Sequence, residues 1–217
     1  MSRLRELPSR KGLILVLSSP SGAGKTSLAN ALSAHDNNLQ ISVSLTTRLP
    51  RDGEVNGKDY IFVSQDEFKR RKNNGDLLES ASVFGNLYGT PRIAVEKMLS
   101  SGKDVIFDID WQGMRQLKTH NLANLVNVLI LPPSRKILEK RLRKRALDTE
   151  EVMITRMQSA AVELSCWDEY DYTVVNDNFD QSLRVLKSIL CAERHRTDLQ
   201  HGLSDIVFDI QKTLPEA

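Results

Sequence analysis

Four short, almost unbroken apolar runs punctuate the chain, at residues 13–17, 105–109, 125–131 and 172–175. Runs of this length without alternation predict strands buried on both faces. The helical patterns between them predict crossovers, so the expected fold is α/β, a parallel sheet flanked by helices. Between Ile41 and Thr90 the texture changes. Ser42-Val43-Ser44-Leu45 and Tyr60-Ile61-Phe62-Val63 alternate, and Asp52-Gly53 and Asn56-Gly57 separate them, which predicts a small antiparallel-rich insert. Ser64-Gln65-Asp66-Glu67 predicts a capping box opening a helix that stops near Asn74-Gly75. Residues 92–101, with Pro91 before and Gly102 after, predict a helix with proline in its first turn and glycine past its end.

Composition narrows the setting without naming a reaction. The 217 residues carry 30 Lys and Arg against 28 Asp and Glu, a net charge of +2, so nothing global marks a nucleic-acid binder. The first twelve residues are charged and contain Pro8, unlike a secretory signal, and no later apolar run is long enough to span a bilayer. A cytoplasmic address with no membrane and no nucleic-acid partner is the expectation, as a monomer or a homodimer. Cys166 and Cys191 lack metal-ligand spacing and read as free thiols, and the four histidines cluster with nothing.

The first run leads directly into Ser18-Ser19-Pro20-Ser21-Gly22-Ala23-Gly24-Lys25-Thr26-Ser27. Strand, glycine-bearing loop and helix start in that order fold backbone N–H groups around the phosphates of a nucleoside triphosphate. Gly22 and Gly24 admit the phosphates to the backbone, Lys25 offers an ammonium to the β and γ oxygens, and the Thr26 hydroxyl suits magnesium. Ser19 stands where the usual pattern has glycine. Farther along, the acid ending Val105-Ile106-Phe107-Asp108 matches the second magnesium-organising element of such enzymes, which assigns Asp108 with Thr26 to the metal. The most basic stretch follows Leu131-Pro132-Pro133. Ser134 is placed to cap a helix bearing Arg141 and Arg145, and Asp148-x-x-Glu151 to open one bearing Arg156. By itself this run reads either as a solvated charged helix or as a flap whose cations close over a γ-phosphate.

A phosphate-binding loop belongs to many activities, so the second substrate must come from elsewhere. In Thr46-Thr47-Arg48-Leu49-Pro50-Arg51-Asp52-Gly53-Glu54 and the following Tyr60-Ile61-Phe62, two arginines and a tyrosine, joined by Tyr88, supply charge-assisted donors for a second phosphate. With Leu78-Glu79, Phe84-Gly85-Asn86-Leu87-Tyr88-Gly89-Thr90 and Asp108-x-Asp110-x-Gln112-Gly113, this pattern resembles the guanylate kinases. The resemblance runs from about Lys11 to Arg194. It implies ATP as donor, GMP (and dGMP) as acceptor and Mg2+ as cofactor. It further implies an extension at 1–10, a kinase unit at 11–194 with a GMP-binding insert at 41–90 and a lid at 134–157, and a tail at 195–217. By the same resemblance Glu79 accepts from the guanine N1–H and 2-amino group, and Ser44 and Thr90 serve its O6 and N7 side. Asp110 lies on the monophosphate side, Arg141, Arg145 and Arg156 belong to the lid, and Asn176 contacts the base or ribose of ATP. Two rivals stay open: a non-catalytic scaffold of the same architecture, which has no need of an intact Gly22-x-Gly24-Lys25-Thr26, and a kinase acting on another monophosphate.

Overall fold

The computed structural model describes residues 10–122, 124–145 and 150–214, with the backbone alone at 144, 145, 151 and 152. Its elements in chain order are β1 (Ile14–Ser18), α1 (Lys25–Ala34), β2 (Leu39–Ile41), β3 (Leu45–Thr46), β4 (Ile61–Phe62), α2 (Gln65–Asn73), β5 (Leu77–Val83), β6 (Asn86–Pro91), α3 (Arg92–Ser100) and β7 (Asp104–Asp108). There follow α4 (Trp111–Thr119), β8 (Leu125–Leu131), α5 (Arg135–Arg145), α6 (Glu150–Leu164), β9 (Tyr172–Val175), α7 (Phe179–Arg194) and α8 (Leu203–Gln211).

The four apolar runs become β1, β7, β8 and β9, and with β2 they form one all-parallel sheet in the order β2-β7-β1-β8-β9. Alternation along β1 sorts its side chains between two cores. Leu13, Leu15 and Leu17 face α1 and α7, meeting Leu28, Leu32, Leu186 and Leu190, while Ile14 and Val16 face α3 and α4, meeting Val95, Met114 and Leu117. Each such side chain, fully buried, contributes roughly 1.5–3 kcal/mol relative to exposure, and β1 shares this anchoring with the largely buried β7 and β8 beside it.

The insert is a four-stranded sheet, β4-β3-β6-β5, with its own small core of Leu45, Phe68 and Leu77. Its β3–β6 and β5–β6 pairs are antiparallel, as expected, but β3 and β4 run parallel because the long loop at 47–60 returns the chain to the same end. The alternating segment at 42–45 keeps only its last residue as strand. The preceding Leu39–Ile41 instead joins the main sheet, where it pairs with β7. Between Leu77 and Glu79 the β5–β6 ladder slips by one residue, so Leu78 is extra. Leu77 packs in the insert core and Leu78 in the main one.

Caps follow the sequence with two changes. The Ser64 side chain accepts from the Glu67 N–H, but the Glu67 carboxylate turns to Arg70 and Arg71 rather than back to the helix start. Pro91 is the N-cap of α3 and the last residue of β6, one position earlier than a first-turn proline. Ser134 Oγ accepts from the Ile137 N–H at 3.3 Å, while the expected helix start at Asp148 lies outside the described residues.

At the N-terminal edge of the main sheet, Asp104 is fully buried and accepts from the Leu13 N–H, Arg10 and Arg194, and Arg194 also reaches Asp36 at 2.5 Å. This ionic knot joins the chain entry, β7 and α7. Among the described residues no helix is long and apolar enough to cross a membrane.

Candidate functional site

All parallel strands of the main sheet end on one side, and the cleft opens there, as expected where strand C-termini and helix N-termini meet. It is a cavity of about 450 Å³, lined from the donor-loop side by Ser19, Ser21, Gly22, Gly24, Lys25 and Thr26 and from the insert by Ser44, Tyr60, Glu79 and Tyr88.

The donor loop leaves β1 and turns into α1 without a side-chain cap. Gly24 occupies the N-cap in the left-handed region (φ 99°), and a Cβ there would stand 2.5 Å from Asn176 Nδ2. The first N–H groups of α1 therefore carry no side-chain acceptor, which is the condition for an anion to take them. Asn176, just past β9, is buried and its amide donates to the Ala23 carbonyl at 2.7 Å. Arg141 donates to the same carbonyl at 3.3 Å and to Asn176 O at 2.9 Å. Both residues thus brace the back of the loop. Ser19 Oγ donates to Pro20 O.

Lys25 Nζ lies 2.7 Å from Asp108 Oδ1 and 2.8 Å from Ile109 O, and Thr26 Oγ1 donates to Asp108 Oδ2 at 2.8 Å. Burial pulls the Lys25 pKa down, but Asp108, Glu163 and Asp110 outweigh it, so the ammonium is held above its ordinary value. The Thr26 hydroxyl and the Asp108 carboxylate form an adjacent pair of hard oxygen donors, suited to magnesium, which takes its other ligands from water and phosphate. Among the described residues no cluster of three or more metal-binding side chains competes with that pair.

On the insert side Arg48 is pinned by Glu54 at 2.7 Å and by its own neighbour, donating to Leu49 O. Its guanidinium lies 5.3 Å from the Tyr60 ring centroid and 5.9 Å from that of Phe62, and Tyr60 meets Tyr88 edge-on at 5.9 Å. The hydrogen bond from Arg48 holds the Glu54 carboxyl below its usual range. Arg51 is exposed and meets Glu54 through its backbone N–H. Glu54 therefore offsets one of the two arginine charges.

Glu79 is buried. Thr90 Oγ1 donates to its Oε1 at 2.6 Å, and Oε2 backs onto Gly113, where a Cβ would stand 2.6 Å away. Burial pushes its pKa up to about 7, against the Thr90 bond and with the Asp110 charge. The strand that carries it is stapled to α4 by Gln116, whose amide donates to Ser80 O and accepts from Ser80 N, as a neighbouring strand would. Asp110 caps α4, accepting from the N–H groups of Gln112 and Gly113, so its carboxylate lines the cleft while holding a helix start.

From α6, Arg156 lines the cleft, and the side chain of Arg145 lies outside the described residues. One functional candidate escapes sequence reasoning. Glu163, two turns after Arg156 on α6, is buried in the cleft wall, accepts from the Ser19 N–H and leaves Oε1 without a partner. Burial pushes its pKa up to about 8, with Lys25 opposing. The only trace in the sequence is Arg156, Ser159, Ala160 and Glu163 falling on one helical face.

Set against known proteins, residues 11–193 match the family model described as guanylate kinase. A relative named guanylate kinase from Paramagnetospirillum magneticum is 51% identical over 203 residues, covering 94% of this chain and 95% of its own. One of the same name from Rickettsia felis is 53% identical over 186 residues, 86% of this chain and 96% of its own. Among solved structures, guanylate kinase from Anaplasma phagocytophilum is similar with a TM-score of 0.77 and 38% identity, covering 93% of this chain and 96% of that one.

Proposed function

The chain belongs to the guanylate kinase family and transfers the γ-phosphoryl group of ATP to GMP, giving ADP and GDP, and on that premise we propose the part each cleft residue plays. The observation that carries the assignment is one cavity in which the uncapped donor loop faces Ser44, Tyr60, Glu79 and Tyr88.

The loop 19–26 holds the ATP phosphates through its N–H groups, with Lys25 on the transferring group. Arg48, Arg51, Tyr60 and Tyr88 hold the GMP phosphate. Glu79 accepts from the guanine N1–H and 2-amino group, with Ser44 and Thr90 beside it. A desolvated carboxylate discriminates strongly, because a base without those donors leaves it buried and unpaired. Asp110 keeps α4 in place behind Glu79 and faces the acceptor. Thr26 and Asp108 would hold magnesium, which when bound neutralises charge on the phosphates. The acceptor oxygen of GMP is already anionic, so no general base is required, and positioning with charge neutralisation carries the rate. Arg156, with Arg141 and Arg145, completes that neutralisation from the lid, and closure excludes water. Asn176 serves the donor side by bracing the loop beneath ATP. Work on free nucleotides in the cytoplasm fits the small net charge of +2.

A paired experiment separates donor from acceptor roles. Lys25→Ala is expected to lower kcat by on the order of a hundredfold with GMP affinity little changed. Arg48→Ala is expected to weaken GMP binding, by calorimetry, far more than ATP binding. A near-normal kcat for the first variant, or equal binding losses for the second, overturns the corresponding role.

A further inference from the structure

The β5–β6 hairpin turns through two residues only, Phe84 and Gly85, since Val83 pairs with Asn86. Both central residues have positive φ, 48° and 77°. A turn of this kind favours asparagine, aspartate or glycine at its first position, and an aromatic side chain there is strained. Phe84 is also half exposed, so burial does not repay that conformation. Residues held in sparsely populated backbone regions are commonly retained for what their side chains do.

What this side chain meets is the lid. The Arg156 guanidinium carbon lies over the Phe84 ring, 5.8 Å from its centroid, within reach of a cation–π attraction, and both residues line the cleft. The hairpin that ends in Phe84 carries Glu79 and Thr90 on its two strands, while Arg156 belongs to α6. The contact therefore joins the acceptor insert to the lid directly.

We propose that Phe84 is a positioning residue for phosphoryl transfer: its ring holds the Arg156 guanidinium at the cleft, so that acceptor hairpin and lid come together as one unit. This rests on the reading of Arg156 as a lid arginine that acts on the transferring group. A ring suits the task better than a carboxylate, because its face attracts the cation without taking any N–H donor and without competing for the phosphate's charge. Holding the arginine beforehand lowers the ordering cost of closure, and the gain is expressed in kcat.

The test is steady-state kinetics with thermal unfolding on Phe84→Leu, Phe84→Tyr, Phe84→Asn, Arg156→Ala and the double variant of Phe84→Leu with Arg156→Ala. Phe84→Leu is expected to lower kcat roughly threefold to tenfold, the worth of a cation–π contact, and Phe84→Tyr to restore it. Phe84→Asn is expected to lose kcat similarly while matching or exceeding the wild-type Tm, because asparagine suits the positive φ. A purely structural role predicts that kcat follows Tm. In the Arg156→Ala background, Phe84→Leu is expected to add little. A normal kcat for Phe84→Leu beside a crippled Arg156→Ala overturns the proposal alone, as does full additivity of the two losses. A normal kcat for Arg156→Ala overturns the lid reading and the proposal with it.

Discussion

Buried beside Thr90 and Gly113, Glu79 keeps its proton to about pH 7, chiefly through desolvation. Guanine presents two donors to it in the proposed complex, and donors favour the ionised carboxylate, so binding lowers a pKa that folding has raised. The sign follows from linkage. Below pH 7 the free protein binds more protons at this group than the complex does, so GMP binding releases protons and its affinity rises with pH until the free group is already ionised. Calorimetry near pH 6 in two buffers of different ionisation enthalpy is expected to show proton release in excess of that seen for Glu79→Gln, the excess vanishing above pH 8. Equal release by both proteins at pH 6 places the titration elsewhere.

Between elements, β5 lies close over α4. Gly113 sits in the first turn of α4 with Glu79 Oε2 where a Cβ would be, and with Ile109 Cδ1 at 3.0 Å from the same point. Gly113→Ala gains helix propensity yet must displace the carboxylate, so we expect KM for GMP to rise by on the order of tenfold or more while KM for ATP stays put. Matching shifts in both constants are the outcome that defeats this. Much of this level was legible beforehand, because short-range patterns encode it. The loop at 19–26 announces itself by glycine spacing after an apolar run, and residues 46–62 by an arginine and tyrosine series with turn residues. Less was legible where contacts join distant segments. Glu163 meets Ser19 across most of the chain, and one carboxylate among Val162, Leu164 and Ser165 carries no period of its own. The strand at Leu39–Ile41 is not legible in the sequence because three residues give alternation no room, and its place beside β7 is decided by pairing. Phe84 looked like part of a motif, and only its backbone angle sets it apart.

Across the whole molecule, the ionic knot and the cleft occupy opposite edges of the same sheet. Asp104 is fully buried, while Arg10 and Arg194 keep about a fifth of their side chains exposed and rehydrate in part when it is lost. Asp104→Ala is accordingly expected to cost about 3 kcal/mol, the lower end for a broken buried pair. Denaturant unfolding measures that loss, and both KM values, taken at a temperature where the variant remains folded, are expected to stay within about twofold. An unchanged midpoint removes the knot from the stability of the fold. The slip in the β5–β6 ladder bears on how the insert is tied to the main sheet. Leu77 and Glu79 face consecutive residues of β6, Pro91 and Thr90, so they lie on opposite faces of the ladder, and the extra Leu78 between them joins the main core while Leu77 joins that of the insert. Removing that one residue leaves Leu77 opposite Pro91 and Glu79 opposite Thr90, and what is lost is the leucine that joins the core holding Met114 and Leu117. Leu78 is thus a peg between the two sheets, and its loss loosens the seat of the guanine-facing carboxylate without turning it away.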